Sequence, residues 1–174
     1  MSTIQPDFTR ILLSSEQIKK RVQEMARQIS ADFHGKTLHV VGVMENGFIF
    51  TADLVRQLTV PVVCLFVKPE LKQADSGATE IFFSPEIDVT GQHVLLVEVL
   101  VQSGVTTEFL IRNLIGRGAA SVKLAVLLDK QSARRLSLQP DYFGFLMSES
   151  FVVGYGLGER LFGRNLPYIA GRPE

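Results

Sequence analysis

Cysteine is nearly absent from this chain: Cys64 is the single one in 174 residues. One thiol excludes an internal disulfide framework and a cysteine-based zinc cluster. Cys64 sits inside the apolar run Val62 to Val67 (VVCLFV), where it reads as a small buried hydrophobe rather than a nucleophile. Charge of one sign is also lacking. Eighteen basic residues balance eighteen acidic ones, which excludes a nucleic-acid binder that relies on bulk positive charge. The three histidines, His34, His39 and His93, are spread out and not at metal-ligand spacing, so they read as structural or exposed. No apolar run is long enough to cross a bilayer, and Met1 to Arg10 has no apolar signal-type segment. The expectation is a soluble, cytoplasmic protein without membrane or nucleic-acid partners. There is no internal repeat, low-complexity tract or linker, so residues 1–174 read as one domain.

What is present is a globular composition, 46% apolar and 21% charged, with enough chain for a sizeable core. Ser14 and Gln17 stand at capping-box spacing. Ile18, Val22, Met25, Ile29 and Phe33 follow at helical spacing, and Gly35 is a plausible stop. Thr37 to Val43, Val62 to Val67, Val94 to Glu98 and Ser121 to Leu128 read as buried strands. Phe48 to Gln57 and Val105 to Ile115 read as helices, and the polar stretch Lys68 to Thr79 as a mobile loop with Glu80 to Phe83 as a strand beside it. Continuous apolar strands alternating with helices predict an α/β fold, a mostly parallel sheet flanked by helices. Ligands of such sheets bind beyond the carboxyl ends of the strands. That singles out Met44-Glu45-Asn46, the segment from Glu98 to Thr107, and Asp129-Lys130.

Ser103-Gly104-Val105-Thr106-Thr107 lies between a buried strand and a helix. Gly104 permits a tight turn, the first N–H groups of the helix are unsatisfied, and three hydroxyls add donors. The pattern suits a phosphate monoester; a simple helix cap remains the alternative. Gly154-x-Gly156-x-Gly158 imitates a dinucleotide loop but lacks the strand-and-helix setting that motif needs. Arg134-Arg135 reads as a solvated pair.

The longer segment Val94 to Thr106 (VLLVEVLVQSGVT) resembles the phosphoribosyl-pyrophosphate loop of type I phosphoribosyltransferases. The segment Gly42 to Leu54 resembles the first loop and helix of the hypoxanthine-type enzymes. Leu127 to Lys130 and Asp141 to Phe145 are similar to their base-binding region, and Phe151 to Leu157 with Arg164 to Tyr168 to their C-terminal hood. The resemblance implies a small hood made of the N-terminal strand and roughly residues 131–174. It implies a reaction joining a 6-oxopurine to phosphoribosyl pyrophosphate with Mg²⁺, releasing a nucleoside monophosphate and pyrophosphate, in a homodimer or homotetramer. It further implies that Ser103, Gly104, Val105, Thr106 and Thr107 cradle the 5′-phosphate and that Glu98 accepts from ribose hydroxyls. Lys130 would donate to the purine 6-oxo group, Phe151 stack on the base, and Val152 bond it through the backbone. Glu45, Asn46 and Arg164 would stand on the pyrophosphate side.

The chain departs from the family pattern at defined places. Gln102 stands where the general-base aspartate belongs, and Glu45 where a first-loop Lys or Arg faces pyrophosphate. Val99 and Gly158 replace acidic residues of the magnesium region, leaving Glu98 as a weak metal candidate. The flexible-loop Ser-Tyr pair is missing, with Lys68-Pro69 near its place. The losses gather on the pyrophosphate, metal and proton-transfer side, whereas the kept residues gather on 5′-phosphate, ribose and base. Arg164 is kept although it belongs to the lost side. Two functions follow: a transferase with impaired chemistry, or a non-catalytic nucleoside monophosphate sensor or partner subunit. A transferase for another base or sugar phosphate is a third, weaker reading.

Overall fold

A computed structural model of the chain describes residues 10–73, 79–82, 87–158 and 162–171. The capping box at Ser14 forms as its spacing predicts. The Gln17 N–H donates to Ser14 Oγ at 3.3 Å and the Ser14 N–H to Gln17 Oε1 at 2.8 Å. Helix α1 (Ser15–Asp32) then buries Ile18, Val22, Met25, Ala26 and Ile29 along one stripe. The apolar runs become β2 (Leu38–Val43), β3 (Val62–Val67), β6 (His93–Val101) and β7 (Ser121–Asp129), joined by β8 (Tyr142–Leu146). They form one five-stranded sheet in the order β3-β2-β6-β7-β8, parallel at every pairing. Helix α2 (Phe48–Val55) and α1 pack on one face through Phe50, Leu54, Met25 and Ile29. Helix α3 (Val105–Gly116) covers the other through Leu110 and Leu114, against Val94, Leu96, Leu124 and Val126. This is the expected doubly covered α/β fold.

Outside the main sheet, β1 (Arg10–Leu13) pairs antiparallel with β9 (Ile169–Gly171), bringing the two ends of the described chain together. Val153 and Ala170 bond each other's backbone at 2.9 Å in both directions, extending that ribbon. Tyr155 ties it to the body, its hydroxyl donating to Asp53 Oδ2 on α2 at 2.6 Å.

Four expectations need correction. The sequence between Lys68 and Thr79 is not simply a loop: β4 (Glu70–Gln73) pairs antiparallel with β5 (Thr79–Phe82). The turn read at Asp75, Ser76 and Gly77, and Phe83, lie outside the described residues. Cys64 is exposed rather than buried. It lies on β3, the outermost strand of the sheet, where Val63 and Phe66 are also exposed, at 39% and 49%. The apolar pattern of an edge strand does not differ from that of an inner one, so the pattern alone overstated its burial. The third correction concerns Glu98, which does not end its strand. β6 runs on to Val101, leaving Glu98 within it and buried. Helix α2, finally, stops at Val55, before Gln57.

Candidate functional site

The carboxyl end of β6 and the start of α3 enclose a cavity of about 320 Å³ lined by Asn46, Glu98, Leu100, Val101, Gln102, Ser103, Gly104, Thr106 and Thr107. Sequence reasoning nominated all but Leu100 and Val101 of these. Gly104 is the turning point. Its φ of +82° lies in the left-handed region, and an added Cβ would stand 3.2 Å from Leu138 Cδ2, so a glycine is needed there. Gly104 offers no side-chain cap to α3, and the Val105 N–H donates instead to Ser103 Oγ at 3.4 Å. Val105 is 46% exposed and Gln102 is exposed, whereas Thr107 is buried beside Glu98.

Glu98 is the unusual carboxylate of the molecule. It is 8% exposed, and its Oε1 has no hydrogen-bond partner. Burial pushes its carboxyl up to about 7; a hydrogen bond with Thr107 and the charge of Arg134 oppose that shift without cancelling it. Its unpaired Oε1 is an acceptor withdrawn from water, on a side chain that lines the cavity.

Glu45, Asn46 and Arg164, the residues expected on the pyrophosphate side, meet just beyond β2. Glu45 Oε1 accepts from Lys68 Nζ at 2.9 Å, and Glu45 Oε2 lies 3.7 Å from Arg164 Nη2. Arg164 Nη1 donates to Asn46 Oδ1 at 2.6 Å and to the Gly156 carbonyl at 3.0 Å. The Lys68 hydrogen bond and charge, with a smaller contribution from Arg164, hold Glu45 below the usual carboxylate range. Two cations that could face an anionic ligand are therefore turned onto a carboxylate of the chain itself. Gly158 belongs to the same arrangement. A Cβ there would stand 2.7 Å from Arg164 Cγ and 2.9 Å from the Phe162 carbonyl, so a side chain at 158 requires Arg164 and its backbone neighbour to move.

A resident magnesium site does not fit the residues present. Val99 is 3% exposed and packs in the apolar cluster with Val97, Leu127 and Leu128, and Gly158 offers no oxygen from a side chain. Among the described residues no three His, Cys, Asp or Glu side chains group as metal ligands. Among the residues lining the cavity, Glu98 is the one carboxylate a hard cation would find.

Lys130, Phe151 and Val152, the residues expected to hold the base, do not line that cavity. Lys130 follows β7 and is half-buried, with its N–H donating to the Val101 carbonyl at 3.0 Å. Phe151 and Val152 are half-buried and lead into the Val153–Ala170 bridge. Sequence reasoning missed Arg134. Its side chain is only 11% exposed and is ion-paired with Asp129, itself 1% exposed. Arg135 is exposed, so half of the expected solvated pair is buried. A twin-arginine pattern carries no hint of this; only the turn after β7 folds the first of them inward. A larger cavity, about 570 Å³, lies between α1, α2 and Tyr155 and contains none of the nominated residues, so size does not select the site.

Comparison with known proteins agrees with this geometry. The phosphoribosyl transferase domain model matches residues 9–160. The hypoxanthine-guanine phosphoribosyltransferase of Streptococcus pneumoniae is 34% identical over 169 residues, covering 95% of this chain and 94% of that protein. The chain belongs to the hypoxanthine-guanine phosphoribosyltransferase family. The Bacillus subtilis member is 31% identical over 94% of this chain and 92% of its own length. The chain also matches the "Bifunctional protein TilS/HprT" of Listeria innocua at 33% identity, spanning only 26% of that longer protein. The crystal structure of a hypoxanthine-guanine phosphoribosyltransferase from Bacillus anthracis superposes with a TM-score of 0.88 at 32% identity, covering 96% of this chain and 99% of that one. For this family member no helix among the described residues is long and apolar enough to cross a membrane.

Proposed function

We propose that this chain is a hypoxanthine-guanine phosphoribosyltransferase-like protein that holds a 6-oxopurine nucleoside monophosphate and transfers phosphoribosyl groups slowly. In the reaction a purine ring nitrogen attacks carbon 1 of phosphoribosyl pyrophosphate. The carbon–nitrogen bond forms, the bond to pyrophosphate oxygen breaks, and the purine gives up a proton. On this reading the Ser103–Thr107 loop takes the 5′-phosphate and Glu98 the ribose hydroxyls. Lys130, Phe151 and Val152 hold the base. On this reading Mg²⁺ would come with the phosphorylated substrate and supply charge neutralisation there, since such ions are commonly bound with few protein carboxylates.

The observation that carries the reading is Glu45, paired with Lys68 and standing 3.7 Å from Arg164. It sets a negative charge where pyrophosphate would need a positive one. Gln102 supports the slow transfer, because an amide keeps an acceptor but cannot take the purine proton, and a lost general base costs about 10² to 10⁴-fold. The same two residues favour the second reading, a non-catalytic sensor or partner subunit that binds the monophosphate. A cytoplasmic homo-oligomer is part of the proposal, and the exposed Val63 and Phe66 on β3 favour a partner copy there.

The deciding experiment measures product from phosphoribosyl pyrophosphate, Mg²⁺ and hypoxanthine, guanine or xanthine at high protein concentration, beside calorimetric binding of inosine monophosphate. Slow product that Lys130→Ala abolishes is expected. Silence with monophosphate binding intact selects the sensor. Turnover at the rate of the Bacillus subtilis protein overturns the impaired chemistry.

A further inference from the structure

We propose that Tyr155 and Asp53 are a positioning pair that holds Arg164 and the loop of Glu45 and Asn46 in fixed register for the pyrophosphate of the substrate. The inference rests on the transferase reading above and goes beyond it.

The geometry is a continuous circuit of contacts. Tyr155 lies in the turn at residues 154–157, whose two ends bond each other's backbone at 2.9 and 3.0 Å. Its hydroxyl donates to Asp53 Oδ2 at 2.6 Å. Asp53 stands on α2, the helix that starts at Phe48, directly after Glu45, Asn46 and Gly47. The backbone of the same turn frames Arg164. The Tyr155 N–H donates to the Leu166 carbonyl at 2.8 Å, and the Gly156 N–H to the Arg164 carbonyl at 2.9 Å. Arg164 Nη1 returns to the Gly156 carbonyl at 3.0 Å and reaches Asn46 Oδ1 at 2.6 Å. The contacts thus run from α2 through Tyr155 to Arg164, and back to the loop in front of α2. Gly156 marks how closely the turn sits on that loop: a Cβ there would stand 2.1 Å from the Asn46 carbonyl.

Tyr155 has a φ of +50°, in the left-handed region that a residue with a large side chain rarely adopts. Such a conformation persists where the surroundings over-determine it. Here one residue gives its side chain to α2 and its backbone to the segment of Arg164. Burial, then the bond to Asp53, push the Tyr155 hydroxyl above its ordinary range, so it keeps its proton and stays a donor. A long arginine left to itself loses rotamer freedom when it binds a ligand, and fixing it beforehand removes that cost. Arg164 is fixed through Nη1, whereas Nη2 stands 3.7 Å from Glu45 Oε2, too far for a hydrogen bond. The guanidinium is therefore held by one nitrogen and presents the other. Neither Tyr155 nor Asp53 lines the cavity at Gly104, so the pair acts on the pyrophosphate side through Arg164.

The test compares phosphoribosyl pyrophosphate with inosine monophosphate, which lacks the pyrophosphate, by calorimetry. Tyr155→Phe removes the hydroxyl and keeps the ring, and folding is checked by circular dichroism. It is expected to lose about fivefold in affinity for phosphoribosyl pyrophosphate and less than about twofold for inosine monophosphate. Asp53→Asn, which keeps an acceptor oxygen for the hydroxyl, is expected to retain most of the affinity, and Asp53→Ala to match Tyr155→Phe. Arg164→Ala is expected to give a loss of the same selectivity, to which Tyr155→Phe adds nothing. Equal losses on both ligands, none on either, or a loss that adds to that of Arg164→Ala overturn the role of the pair and leave monophosphate binding standing. So does wild-type protein that binds inosine monophosphate but not phosphoribosyl pyrophosphate. Wild-type protein that binds neither ligand overturns the nucleotide reading as well.

Discussion

The cavity at the β6–α3 loop and the cluster at the mouth of β2 are neighbours sharing Asn46, yet they are organised in opposite ways. Around the loop, Glu98 Oε1 is buried without a hydrogen-bond partner. At the cluster, every charge has an internal counterpart, Glu45 with Lys68 and Arg164, and Arg164 with Asn46. Unsatisfied groups in a cleft await a ligand, whereas satisfied ones compete with it. The loop cavity thus keeps an unpaired acceptor, whereas the cluster beside it is closed by the chain's own carboxylate.

The contrast can be broken by restoring residues that the family pattern carries. Gln102→Asp has the largest expected effect, because residue 102 is exposed at the cavity edge and accepts a carboxylate without burial. Product formation is expected to rise by about 10² to 10⁴-fold if proton removal limits transfer. An unchanged rate would put the deficit at pyrophosphate binding instead. Val99 is not repairable in this way. Val99→Asp drives a carboxylate into the apolar cluster, and a fall in chemical-denaturation stability of several kcal/mol is expected, with no gain in rate.

Glu98 sharpens the open side through pH. Its carboxyl rises from 4.5 to about 7 on burial, so the folded protein retains a proton that the unfolded chain has lost. The associated stability is complete below about 4.5 and drains away as pH climbs through about 7, to a total of no more than about 3 kcal/mol. Urea titrations across that window are expected to show the decline, and Glu98→Gln to flatten it. A smaller effect concerns Glu45. Glu45→Gln removes the negative charge that Lys68 and Arg164 face, and pyrophosphate affinity is expected to rise roughly fivefold while inosine monophosphate affinity stays constant. A parallel gain for both ligands would mean that the two sides are not separate. The smallest perturbation is chemical. Cys64, exposed on β3, is expected to react with a thiol reagent in the native monomer as readily as in denaturant. Protection that vanishes on dilution would reveal a second copy over the edge strand.

Much of the fold was legible because periodicity reports burial. The α1 stripe, four parallel strands and the loop around Gly104 could be read from spacing and from one glycine. Residues of the site in one continuous segment, Glu98 to Thr107, were legible for the same reason. What failed depended on neighbours far along the chain. Cys64 and Phe66 have an inner-strand pattern, and only the sheet order makes β3 an edge. Arg134 has a surface pattern, and only the turn after β7 brings it to Asp129.

By itself the sequence determined the class of fold and the turn at Gly104, since these depend on local pattern and on residue type. Tertiary structure alone decided what the substitutions do. Glu45 is a clamp because Lys68 and Arg164 reach it from 23 residues away along the chain and from the C-terminal ribbon. Val99 is core because the strand turns it toward Leu127, and Glu98 is raised because nine-tenths of its surface is withdrawn from water. Charge and chemistry are written in the residue, but the medium in which a charge stands is set by everything packed around it.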